Sequence, residues 1–164
     1  MTSSGQDVYS GAHCKEVSAA GYRQLSEFRY RILQFLHLSE EAARSRGIEP
    51  HQQQVLLAVK GLPEGTRPNV RTLSQRLCLR HHSTVEIIDR LVEHGAVTRR
   101  HSDEDRREVL IELTPHGEEL LHQLSVLLWQ ELRVSGPALS ESLAAVLAHS
   151  VGRGRNKHEP ARPR

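Results

Sequence analysis

The chain has 164 residues, 37% hydrophobic and 26% charged, with a formal net charge of +2. That balance suits a packed domain rather than a disordered chain, and no apolar run approaches the roughly 20 residues a membrane span needs. Aromatic residues are only 4%, so the core rests on Leu, Val, Ile and Ala, a composition that favours helix packing over a sandwich.

The charge is unevenly placed. Residues 151–164 hold Arg153, Arg155, Lys157, Arg162 and Arg164 against Glu159, a net +4 that leaves −2 over residues 1–150. A nucleic-acid surface must therefore come from local placement of arginine, the better fork for phosphates and guanine edges. Lysine occurs only at Lys15, Lys60 and Lys157. Residues 1–10 lack a charged-then-apolar signal pattern, so a cytoplasmic protein is expected. Two cysteines, Cys14 and Cys78, are too few and too scattered for a disulfide framework or a zinc knuckle.

Residues 1–17 read as a loose, flexible N-terminal tail. From 19 to 46, Tyr22, Leu25, Phe28, Ile32, Phe35, Leu36 and Ala43 recur at threes and fours, which predicts a helix that stops at Gly47. At 1.5 Å per residue it would run about 42 Å, longer than one small domain covers, as in helices shared with a second chain. Pro50 suits the first turn of a second helix over 50–60, with Val55, Leu56, Leu57 and Val59 apolar. A loop over 61–68 follows. Asn69 caps a short helix to about 77, with Leu73 and Leu77 on one side. After a break at 78–80, a helix over 81–94 buries Val85, Ile88, Leu91 and Val92 and ends at Gly95. The period then changes to that of two strands, 96–100 and 108–113, around a charged tip at 101–107. Thr114 caps the next helix, with Pro115 at its first position and Glu118 closing a box-like start. It carries Leu120, Leu121, Leu124, Leu127, Leu128 and Leu132 to about 133. Gly136-Pro137 is expected to break it before a last helix over 139–151 with Leu143, Val146 and Leu147. No internal repeat is present.

Helix, helix, short turn, helix, hairpin is the order of a winged helix-turn-helix, and the fold class expected is mainly α with a two-stranded wing and a helical dimerisation region. In such a fold the second helix of the turn pair lays its outer face in the major groove of DNA. That face carries His82, Ser83, Glu86 and Arg90, with His81 and Thr84 beside them. Periodicity alone fits an ordinary solvated face equally well.

The hairpin adds the sharper signal. The segment DEDRREVLIELTPHGEELL, residues 103–121, resembles the wing and following helix of the MarR (multiple antibiotic resistance regulator) family. The segment LSQRLCLRHHSTVEIIDRLVEHGAVTRR, residues 73–100, resembles that family's helix-turn-helix and first wing strand. In element order the resemblance runs over about 20–150. It implies that Arg107 enters the minor groove and that Asp105 braces it, with Arg106 and Arg99 or Arg100 meeting phosphates. The local chemistry agrees, because a guanidinium is drawn to the negative potential of a narrow minor groove and a carboxylate two residues away on a strand lies on its side. Arg80 stands where the family often has a capping Ser, Asp or Thr, and His81-His82 is unusual there. Glu86 would repel phosphates unless it accepts from a cytosine amino group, pairs with Arg90 at i+4, or points away.

The resemblance also implies a homodimer built on 19–46 and 114–151, flanking a winged helix-turn-helix over 48–113. Its recognition helices would face successive major grooves about 34–36 Å apart on a pseudo-palindromic operator of double-stranded DNA. Residues 152–164 form a basic C-terminal tail. Many relatives bind a small ligand between the dimer helices and the winged domain, which Tyr30, His37 and His51 could line. No metal site, cofactor, catalytic residue or membrane partner is expected. There is no HExxH pair, adjacent helical histidines such as His81-His82 point ~100° apart, and His116 with His122 form no recognisable ligand set. The reading is a DNA-binding transcriptional regulator, a repressor relieved by a ligand, and not an enzyme. Two alternatives stand beside it: a metal- or redox-responsive version that uses the histidines, Cys14 or Cys78, and a winged-helix protein-interaction module without DNA binding, suggested by Glu86, Glu93 and the acidic run Asp103-Glu104-Asp105.

Overall fold

The computed structural model describes residues 17–151. The tail over 1–16 with Cys14, and the basic tail over 152–164, lie outside the described residues. Five helices and one antiparallel pair of strands follow in chain order: α1 Ala19–Ser45, α2 Pro50–Lys60, α3 Val70–Arg76, α4 His81–Glu93, β1 Val97–His101, β2 Val109–Leu113 and α5 Pro115–Val151.

Local capping chemistry sets most of these boundaries. The Ser18 hydroxyl accepts the Gly21 N–H at 3.1 Å and opens α1. Glu49 and Gln52 form a reciprocal capping box at α2, with Pro50 at the first position where no N–H is needed. Asn69 Oδ1 accepts the Thr72 N–H at 2.9 Å and opens α3. Gly95, at φ 66°, turns the chain from α4 into β1 in a left-handed conformation that only glycine adopts freely.

Two expectations at α5 are corrected. First, Gly136-Pro137 does not end the helix, because α5 runs unbroken through Pro137. An interior proline removes one N–H and crowds the preceding residue. Here that residue is Gly136, which has no Cβ to meet the ring. Second, Glu118 does not close a capping box. Thr114 Oγ1 accepts from the Gly117 N–H at 3.1 Å, and the Glu118 carboxylate pairs with Lys60 of α2 instead.

The chain divides into two compact units. The first comprises the start of α1 and the end of α5, residues 17–33 and 137–151 as described. There Ser18 Oγ lies 3.3 Å from His149 Nε2, and Tyr22, Leu25, Tyr30, Leu33, Leu143 and Leu147 are exposed. The second unit, Gln34–Gly136, contains the whole buried core. Val55 and Leu56 of α2, Leu73 of α3, Ile88 and Leu91 of α4, Ile111 of β2 and Leu124 of α5 are all fully buried, with Ala43 of α1 joining them. The winged motif and the inner parts of α1 and α5 thus share one core.

Candidate nucleic-acid interface

The turn between α3 and α4 is tight. Leu79 N–H returns to Ser74 O at 3.0 Å, and Cys78 sits exposed at φ 54°. Arg80 occupies the cap position of α4 and makes no side-chain cap, so the first turn lacks the acceptor that Ser or Asp would supply. The helix start is held from inside instead. Thr84 is 0% exposed, and its hydroxyl donates to the Arg80 carbonyl at 3.1 Å. Thr84 therefore does not belong to an outward reading face, contrary to expectation. The buried stripe runs Thr84, Ile88, Leu91, and Val92 on its flank is 39% exposed rather than buried. Turning the stripe this way sends His81, His82, Glu86, Arg90 and Glu93 to the surface, with Ser83 half-buried at the edge.

The hairpin pairs in register from Val97 opposite Leu113 to His101 opposite Val109. Its tip is a turn and not a strand extension. Ser102 is buried and its hydroxyl accepts from the Glu104 and Asp105 N–H groups. Asp105 Oδ1 accepts the Arg107 backbone N–H at 2.9 Å, and Glu108 N–H returns to Asp105 O at 2.9 Å. His101 Nδ1 lies 2.8 Å from the Arg106 carbonyl oxygen. Asp105 thus braces the backbone of the tip and forms no ion pair with the Arg107 guanidinium, which corrects the strand-based expectation. The Arg106 and Arg107 side chains are exposed and have no ion-pair or hydrogen-bond partner among the described residues.

The other two wing arginines are engaged within the protein. Arg99 Nη2 lies 2.6 Å from Asp89 Oδ1 and so ties β1 to α4. Arg100 donates to Glu112 at 2.8 Å and to Asp103 at 2.9 Å. Those carboxylates, Glu112 first, raise the pKa of its guanidinium above the usual arginine value. Sequence reasoning missed Arg67 altogether. From the loop before α3 its guanidinium donates to Glu108 at 2.7 Å and pairs with Glu104, while the Asn69 amide donates to the same Glu108 carboxylate. The Arg67 bond and then the Asn69 bond hold the Glu108 carboxyl below the usual carboxylate range, against a weaker opposing effect of burial. Ile111 N–H to Pro68 O at 2.8 Å and a bridge between Asn69 and Leu110 continue the attachment along β2. The wing root is therefore sewn to the start of the helix-turn-helix.

A helix-turn-helix whose second helix presents an exposed polar face, followed by a hairpin whose tip carries two arginines without a partner among the described residues, is the arrangement of a winged helix-turn-helix. Residues 46–108 match the MarR family. Over that segment, less than half of the chain, the sequence is similar to the winged helix-turn-helix of this family of transcriptional regulators.

The MarR fold extends well beyond the matched segment. CouR from Rhodococcus jostii, solved with p-coumaroyl-CoA, superposes with a TM-score of 0.63 at 20% identity, covering 84% of this chain and 99% of that one. MarR from E. coli gives 0.59 at 23% identity over 75% and 90% of the two chains. A variant of MepR from S. aureus bound to an oligodeoxyribonucleotide gives 0.57 at 16% identity over 79% and 95%. At these identities the likeness shows the fold. No curated protein sequence matches the chain.

The three residues expected to line a ligand cleft are all exposed. Tyr30 belongs to the first unit and is half-exposed, with the Arg31 guanidinium 5.5 Å from its ring centre. His37 is exposed and faces Glu41 at 3.3 Å along α1, and His51 is exposed on α2. A cavity of about 310 Å³ lies elsewhere in the second unit, between α1 and α5, lined by Phe35, Leu38, Ser39, Ala42, Leu127, Leu128, Gln130, Glu131 and Val134. Among the described residues no three His, Cys, Asp or Glu side chains converge as metal ligands, and no helix is long and apolar enough to cross a membrane.

Proposed function

We propose that this protein is a homodimeric repressor that binds a pseudo-palindromic operator through α4 and the wing of each chain, and that a small ligand relieves the repression. The observation that carries this reading is the pair of unpaired, exposed guanidiniums at 106 and 107 on a tip whose backbone is fastened by Ser102 and Asp105. A cation without a protein partner gives up no ion pair when it meets a polyanion, and its fastened backbone needs no further ordering. Arg107 enters the minor groove, Arg106 and Arg90 meet phosphates, and His81, His82, Ser83 and Glu86 face the major groove.

A second chain is supported by the apolar surface that one copy leaves open. Tyr22, Leu25, Leu143 and Leu147 are exposed in the first unit, and Trp129 and Val134 of the second are 66% and 80% exposed. Exposed apolar groups in such number mark an association surface. The cavity between α1 and α5 is the ligand site in this reading. It is largely apolar, with Ser39, Gln130 and Glu131 as its polar groups, the usual make-up of a small-molecule pocket. The DNA-bound MepR variant and the acyl-CoA-bound CouR are in keeping with both halves of the proposal.

The test is a selection of labelled genomic fragments at moderate salt, repeated with Arg107→Ala. Enrichment of one fragment class by the wild type, and its loss with Arg107→Ala, is the expected result. No enrichment, or binding that ignores the substitution, removes the proposal. A flat salt dependence would favour a protein-interaction module, since phosphate neutralisation makes affinity fall steeply with salt.

A further inference from the structure

We propose that Glu86 is a specificity-determining residue that selects a cytosine in each half-site of the operator; this deepens the DNA-binding reading above and rests on it. Three fates were open to this carboxylate from sequence. Pairing with Arg90 does not occur, since neither side chain has an ion-pair partner among the described residues. Pointing away from the outer face does not occur either, since Thr84, Ile88 and Leu91 form the buried stripe and Glu86 is exposed opposite them, on the same side as His82 and Arg90. What is left is a carboxylate on the outer face, one turn after His82 and one turn before Arg90, in the first half of α4.

The neighbouring acid behaves differently, which singles Glu86 out. Asp89 is held by Arg99 at 2.6 Å and presents a neutralised pair to its surroundings. Glu86 would enter the groove with its full charge. The N-terminal half of a recognition helix approaches base edges most closely, so this charge meets bases before it meets phosphates. Guanine offers O6 and N7 there, and thymine offers O4 and a methyl group; neither gives a carboxylate a donor. Adenine offers the N6 amino group beside the N7 acceptor, which repels the second carboxylate oxygen. Cytosine offers its N4 amino group beside a C–H edge. Only cytosine satisfies the anion without a facing acceptor on the same base, and a wrong base leaves a desolvated charge unpaired.

The experiment is a selection from a randomised duplex library with the full chain as wild type, Glu86→Gln and Glu86→Ala, followed by affinity measurements on the selected site. The wild type is expected to enrich cytosine at one position of each half-site, with about tenfold weaker binding when that base pair is changed. Glu86→Gln is expected to move the preference to adenine, whose N6 and N7 a glutamine amide fits with both ends. Glu86→Ala is expected to lose the preference at that position only. A wild type that enriches a motif which Glu86→Ala reproduces base for base overturns this proposal alone. A wild type that enriches no duplex overturns the regulator reading, and this inference with it. The side chain is exposed and Ala and Gln are good helix formers, so both variants keep the fold, which a melting curve verifies.

Discussion

Asp105 and Arg107 are joined through the backbone. The aspartate Oδ1 accepts the Arg107 N–H at 2.9 Å, while the guanidinium two residues along has no partner among the described residues. In the proposed operator complex Asp105 would act through the shape of the tip. Asp105→Ala is expected to weaken operator binding about tenfold while leaving the slope of affinity against salt unchanged, because no cation has been removed. Asp105→Asn keeps the accepting oxygen and is expected to bind like the wild type. If Asp105→Asn fails as badly as Asp105→Ala, the carboxylate charge matters more than the turn.

The same separation into free and engaged cations gives a second prediction. Arg90, Arg106 and Arg107 have no carboxylate partner among the described residues, whereas Arg99 is held by Asp89 and Arg100 by Glu112 and Asp103. Deleting one phosphate-binding cation lowers the salt slope by roughly 1. In a dimer, Arg106→Ala should therefore lower it by about 2. Removing Arg99 together with Asp89 deletes a neutral pair and is expected to leave the slope as it was. Titration of one labelled operator across a range of salt concentrations decides between these outcomes.

Much of this is legible in the sequence, and the division between what is and what is not is physical. Asn69, Pro50 and Thr114 announce helix starts because a cap is satisfied within a turn, and the hairpin announces itself by a change of period. The Arg67–Glu108 link spans 41 positions, and no local pattern reports a pairing that far along the chain. Thr84 and Val92 exchange roles because both lie near the boundary of the apolar stripe, where a few tens of degrees of helix rotation decide burial. Pro137 misleads for the opposite reason. It is a true local stop signal, but the preceding Gly136 has no Cβ to crowd the ring.

The wing anchor carries a pH signature. Glu108 has its folded pKa depressed below the ordinary 4.5 by Arg67 and Asn69. A group shifted in this direction contributes stability that is fully present above the unfolded value and is lost as pH falls through the lower folded value. The anchor is therefore intact at neutral pH and fails only in acid. The difference in melting temperature between wild type and Glu108→Gln should be constant from neutral pH down to about 4.5, and should shrink below that. A difference that instead vanished as pH rose would contradict the depressed value.

Gly117 tests how closely α5 is seated on the wing root. A Cβ built there would lie 1.9 Å from the Ala96 carbonyl oxygen, itself the acceptor of the Thr114 N–H at 3.1 Å. Backbone stands in the way and has no rotamer to change. Gly117→Ala is expected to cost about 3 kcal/mol, at the upper end for overpacking, despite the better helix propensity of alanine. Denaturant unfolding at fixed protein concentration measures it. A neutral or stabilising result would mean that the helix start sits further from β1.

Pro137 tests the continuity of α5 itself. Were the helix to end at Gly136, replacing the proline would change a linker and leave stability nearly where it was. In an unbroken helix, Pro137→Ala restores the N–H that can reach the Arg133 carbonyl and removes a ring from the helix interior. The gain should approach the roughly 3 kcal/mol that separates proline from alanine in helix interiors. Association stabilises dimers by mass action, so the comparison needs equal protein concentrations. An increase in melting temperature with greater helical ellipticity is the expected outcome, and an unchanged melt would show that the proline lies outside the cooperative helix.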